Sequence, residues 1–80
     1  LGKAVMRKLI GKVKWMDAKK GFGMISSEEV EGDIFFHYSE LQIRGYKYLP
    51  PESRVRFDLQ EVSPEGTANG MKALNIEHLA

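Results

Sequence analysis

KGFGMISSEEVEGDIFFHY, residues 20–38, decides how the rest of the chain is read. Two apolar runs, FGMISS and IFFHY, flank a polar, glycine-bearing segment, EEVEGD, which reads as a turn. Along a strand alternate residues share a face, so Ile34, Phe36 and Tyr38 form one set and Asp33, Phe35 and His37 the other. Burying Asp33 and His37 without partners costs on the order of several kcal/mol. Burying Ile34 and Phe36 stabilises by ~1.5–3 kcal/mol each. The first set therefore faces the core, and Phe35 is pushed to the surface beside His37. On FGMISS, Phe22 and Met24 share one face, and Gly21, Gly23 and Ile25 the other. In an isolated strand Phe22 and Met24 are the natural core pair. In a hairpin with IFFHY, Ile25 belongs inside, and Phe22 and Met24 then stand outside next to Phe35. The two glycines face inward, where a tight wall needs small residues.

The remaining segments keep the same period. RKLIGKVKWM, residues 7–16, reads as a long strand with a bend or bulge at Gly11, and MDAKKG as a turn. RVRFDLQEV, residues 54–62, alternates, with Val55, Phe57 and Leu59 on one face. SPEGTANG is a turn region. MKALNIEHLA is a last strand carrying Met71, Ala73, Ile76 and Leu79, with a less regular end. Helix has little room. SELQ allows one short turn capped by Ser39, and IRGYKYLPPES is a loop ending in two prolines. Five short strands in 80 residues predict an all-β fold, a closed or nearly closed five-stranded antiparallel barrel. In the first strand, alternation puts Trp15 on the buried face of Val13, and a bulge would reverse this. The periodicity leaves both open.

Charge is uneven along the chain. Residues 1–20 carry seven Lys/Arg against one acid, Asp17, and residues 21–80 carry five against ten acids. A basic end on an acidic body attracts a polyanion to one face. The chain has no cysteine, so neither disulfides nor thiolate metal sites contribute. The leading decapeptide has neither a continuous apolar stretch nor a cleavage pattern, and no run reaches the length of a membrane span. Leu1 in place of Met points to a processed, tagged or excised start, with Met6 the candidate natural one.

Phe22, Met24, Phe35 and His37 together make an exposed apolar patch rimmed by lysines. Such patches mark interaction sites. Bases stack on aromatic faces for ~1–3 kcal/mol each while lysines track phosphates. A duplex hides its base faces, so this surface suits an unpaired strand. No Ser-His-acid spacing and no ligand cluster around His37 or His78 supports catalysis, a metal or a cofactor. The rivals are an RNA-recognition motif, which shares KGFG but needs two helices where the sequence offers no helical segment, and an OB-type module for a protein or oligosaccharide.

GKVKWMDAKKGFGMI followed by DIFFHYSELQIRGYKYL resembles the cold-shock domain family, small five-stranded OB barrels that bind single-stranded DNA and RNA. KGFGMI is similar to the family's first ribonucleoprotein motif and DIFFHY to its second; ALNI is similar to the terminal strand. The resemblance implies residues 1–10 as an N-terminal extension, partly in the first strand, and 11–80 as the cold-shock domain. It implies base contacts for Trp15, Phe22, Phe35, His37, Tyr38 and Tyr46, and phosphate contacts for Lys14 and Lys20. It thereby turns Trp15 outward and ends the third strand near Tyr38, against simple alternation. It also implies a cytoplasmic monomer acting as an RNA chaperone in stress response, transcription or translation. Met24 departs from the family pattern, standing at a normally aromatic position of the site. Met16 and Asp17 replace Phe and Asn, Phe36 a small aliphatic, and Pro50–Pro51 an acidic, glycine-containing loop. Binding is expected to be retained but weaker per base.

Overall fold

The computed structural model describes residues 5–45, 47–61 and 71–79. Tyr46, the SPEGTANG turn and Val62 lie outside them. The elements are β1 (Val5–Asp17), β2 (Phe22–Ser27), β3 (Val30–His37), a single 3-10 turn (Tyr38–Glu40), β4 (Arg54–Glu61) and β5 (Met71–His78). The strands close into a barrel in the order β1-β2-β3-β5-β4. Every ladder is antiparallel except the seam between β3 and β5, where Phe35 stands opposite Lys72 in parallel. The expected antiparallel barrel thus closes through a parallel seam, continued by the parallel bridge between Leu41 and Ile76.

Alternation places the core. Val55, Phe57 and Leu59 of β4 and Ile34 and Phe36 of β3 are fully buried, joined by Val13, Ile25, Ala73 and Ile76. Among the described residues no polar or charged group is buried, so the interior carries no desolvated charge. No helix of the described residues is long and apolar enough to cross a membrane.

Local departures from alternation have visible causes. The register of β1 against β2 shifts between Val13 and Trp15, so the bulge lies at Lys14 and not at Gly11. Gly11 answers a different need. A Cβ there would run into the Ser26 carbonyl oxygen and lie 3.0 Å from Ile25 Cγ2. It sits beside Lys12, where β1 passes from pairing with β4 to pairing with β2. The turn expected over residues 28–33 is shorter, because β3 already begins at Val30 and Gly32 lies within it at φ 91°. The cap of the 3-10 turn is His37 and not Ser39: the Ser39 N–H donates to His37 Nδ1 at 3.2 Å. In β5 the irregular end is Asn75, at φ 51°, opposite a register shift between Arg56 and Asp58. Asn75 Nδ2 donates to Asp58 Oδ2 at 3.0 Å and its N–H to Glu40 Oε1 at 3.1 Å. The hydrogen bond from Asn75, with Lys8 at 3.1 Å, holds the Asp58 carboxyl below its usual range.

The Pro50–Pro51 segment forms a tight turn that braces β1. The Ser53 N–H and Oγ both donate to the Pro50 carbonyl, at 3.2 and 2.7 Å. Glu52 N–H donates to the Val13 carbonyl at 2.8 Å, and Val13 N–H to the Ser53 carbonyl at 2.9 Å. Glu52 sits at φ 74°, the position that favours glycine in a type II turn. Its ion pair with Lys12, 3.7 Å long and exposed, contributes little. Glu52→Gly should therefore stabilise the fold by about 0.5–1 kcal/mol. A thermal melt should show the midpoint rising by about 4 °C; a fall would mean the strain is already relieved.

Candidate nucleic-acid interface

The bulge at Lys14 resolves the side on which Trp15 stands. One extra residue on β1 restarts the alternation, so Val13 and Met16 point inward and both Lys14 and Trp15 point out. Trp15 is 41% exposed. Across the sheet it stands opposite Met24, Met24 opposite Phe35, and Phe35 opposite Lys72. Two residue pairs further along, and so on the same face, Phe22 stands opposite His37. Phe22, Met24 and Phe35 are half-buried on this outer face, and His37 is exposed. The inward alternative for Phe22 and Met24 is thereby ruled out. Gly21, Gly23 and Ile25 are the buried residues of that stretch.

The rings form a connected surface. Trp15 and Phe22 lie 5.8 Å apart, edge to face at 71°, and Phe22 and Phe35 5.9 Å apart at 30°. His37 and Tyr38 continue it at 4.6 Å and 63°. Tyr38 reaches this edge because β3 ends at His37, which leaves its ring 45% exposed over Gly21. The ring orientation of His37 is also set. A backbone N–H can only donate, so Nδ1 accepts from Ser39, and a neutral imidazole carries its proton on Nε2.

Charge is sorted along the barrel. Arg7, Lys8, Lys12 and Arg56 are paired with Glu61, Asp58, Glu52 and Glu77, and Lys47 Nζ donates to the Leu41 carbonyl. The basic excess of the first twenty residues is thus partly neutralised away from the rings. Around the rings, Lys14 Nζ donates to Asp33 at 2.9 Å. Lys19 and Lys20 sit on the exposed β1–β2 turn, held by their N–H groups donating to Asp17 Oδ1, each at 2.9 Å. Among the described residues the ammonium groups of Lys19, Lys20 and Lys72 have no ion-pair partner.

Of the residues expected at the site, Trp15, Phe22, Met24, Phe35 and His37 share the face. Tyr38 stands at its edge, and Lys14 and Lys20 on its rim. Tyr46 lies outside the described residues. Lys72 was not anticipated. Its signal was the alternation of MKA, which buries Met71 and Ala73 and turns Lys72 outward, but its place beside Phe35 depends on barrel closure. Among the described residues no group of three or more His, Cys, Asp or Glu is placed to hold a metal.

A closed five-stranded β-barrel with an aromatic, lysine-rimmed outer face defines a class of nucleic-acid-binding module. Residues 9–79 match the family model described as 'Cold-shock' DNA-binding domain, and the chain belongs to the cold-shock domain family. It is 43% identical over 61 residues to the cold shock protein of Arthrobacter globiformis, covering 76% of this chain and 91% of that one. It is 39% identical over 70 residues to the major cold shock protein of Micrococcus luteus, covering 88% and 97%. A major cold shock protein of Streptococcus pyogenes is 43% identical over 70 residues, covering 88% and 96%. Among solved structures, Drosophila Unr CSD456 superposes with a TM-score of 0.70 at 20% identity, covering 92% of this chain and 27% of that one. That likeness bears on the fold.

Proposed function

We propose that the chain binds single-stranded RNA or DNA with low sequence specificity and acts as a nucleic-acid chaperone. The supporting observation is the run of rings from Trp15 through Phe22 to Phe35, spaced 5.8 and 5.9 Å and flanked by Lys14, which pairs with Asp33, and by Lys20 and Lys72, which have no ion-pair partner among the described residues. In this reading Trp15, Phe22, Phe35, His37, Tyr38 and Tyr46 stack on bases, and Met24 offers a softer contact. Lys14, Lys20 and Lys72 meet phosphates; Lys14 exchanges Asp33 for them. Residues 11–80 are the working domain, and residues 1–10 extend it. Binding unpaired bases draws hairpins toward the open form by mass action, with no chemical step. The protein acts as a monomer in the cytoplasm, keeping transcripts unpaired under stress and influencing transcription and translation.

Titrating a short oligopyrimidine and a matched duplex against Trp15 fluorescence tests this. The single strand should quench and the duplex should not, and affinity should fall with salt by a log–log slope of about −0.7 per neutralised phosphate. Equal quenching by both strands, or by neither, overturns the proposal.

Met24 gives a graded prediction. It sits between Trp15 and Phe35 in the row, where an aromatic would complete the stacking surface. Met24→Phe should tighten single-strand binding by about 1 kcal/mol, roughly fivefold. Unchanged affinity in the same titration would mean that no base reaches this position.

A further inference from the structure

Beyond Trp15 the outer face continues into a concavity of about 630 Å³, lined by Trp15, Met16, Asp17, Ala18 and Tyr48. Its two rings come from opposite parts of the chain, β1 and the loop that follows the 3-10 turn. Met16 is nearly buried, and Tyr48 is half-buried and packed against the core. The shape is set by the barrel: the Lys14 bulge turns Trp15 outward while Met16 returns inward.

Asp17 gives the concavity its polarity. Oδ1 is occupied by the N–H groups of Lys19 and Lys20, each at 2.9 Å, whereas Oδ2 has no hydrogen-bond partner among the described residues. A carboxylate accepts and does not donate. Cytosine, adenine and guanine offer amino donors to such an oxygen. Uracil and thymine offer a single N–H flanked by two carbonyls, which a carboxylate repels.

Resting on the single-strand reading above, we propose that the bound strand continues past Trp15. One further nucleobase enters the space between Trp15 and Tyr48, and Asp17 selects an amino-bearing base there over uracil or thymine. The pocket adjoins the ring surface through Trp15, so its occupant is the next base of the same strand.

The test uses the intact chain, Trp15 fluorescence, a thymidine heptamer, heptamers with one cytosine at either end, and a thymidine tetramer. Cytosine at one end should tighten binding about fivefold over the other end. Asp17→Asn should reduce that preference below about twofold, while its amide oxygen still accepts the turn N–H groups. Tyr48→Leu should weaken the heptamer about fivefold and leave the tetramer, which the rings from Trp15 to Tyr38 accommodate, unchanged. Indifference to cytosine at both ends, or equal losses for tetramer and heptamer, overturns the pocket while the functional reading stands. If Tyr48→Leu does not fold, the Asp17→Asn comparison decides alone. A wild-type chain that binds no single strand overturns the functional reading, and the pocket with it.

Discussion

Phe22→Ala should weaken single-strand binding by about 1–3 kcal/mol, roughly 5- to 150-fold, and leave the barrel folded. Phe22 is the central ring of the outer face: it touches Trp15 on one side and Phe35 on the other and stands opposite His37. Removing it takes away one stacking surface and the lateral support of two more. Phe35→Ala removes an outer ring and should cost less within the same range. Because the two rings touch, the double variant should lose less than the sum of the single losses. Phe22 is only half-buried, so its truncation costs less stability than the ~3–5 kcal/mol of a core Phe→Ala change. The salt dependence separates the two kinds of contact. Phe22→Ala should leave the log–log slope unchanged, whereas Lys20→Ala should reduce it by about 0.7. Fluorescence titration measures affinity, and a thermal melt checks the fold. If Phe22→Ala unfolds the domain, or binds as tightly as the wild type, the ring is not part of a binding surface.

That surface was largely legible from alternation, because the sequence contains its own control. Asp33 and His37 could not be buried cheaply, so Phe35 had to be outside, and the hairpin carried Phe22 and Met24 with it. Trp15 was not legible in this way. Its position turns on a bulge at Lys14, and a bulge changes backbone register without changing residue type. The family resemblance supplied what periodicity did not. Asn75 shows the same limit in β5: its left-handed backbone shifts the buried set from Ala73 to Ile76, a spacing of three in place of two. The local charge excess was visible, but its distribution was not. Pairing of Arg7 and Lys8 with β4 depends on a ladder between residues about fifty positions apart. The same long-range closure hid Lys72 beside Phe35.

Gly23→Ala should destabilise the domain by about 3 kcal/mol. That is a large part of the ~5–15 kcal/mol that holds a typical domain together. Gly23 stands between Met16 of β1 and Phe36 of β3, with its open side toward the core. An added Cβ would lie 2.8 Å from Phe36 Cε1 and Cζ, and against the Trp15 carbonyl oxygen. The ring is fully buried and has little freedom to turn. The carbonyl belongs to the bulged part of β1, so relief requires β1 to move away from β2 at the residue that presents Trp15. Phe36→Val in the same chain removes only one of the two overlaps and leaves a core deficit of its own, so it should not restore stability. Gly45→Ala is the control for backbone strain. Gly45 has φ 80°, and a methyl group added there would meet nothing within 4 Å, so its cost should be only the ~1–2 kcal/mol of a left-handed residue. Urea unfolding of the three variants separates crowding from strain. A Gly23→Ala midpoint at or above that of Gly45→Ala would show that the wall yields to a methyl group. Below its own midpoint, Gly23→Ala should still bind single strands more weakly than the wild type, because the shift it forces lies under Trp15.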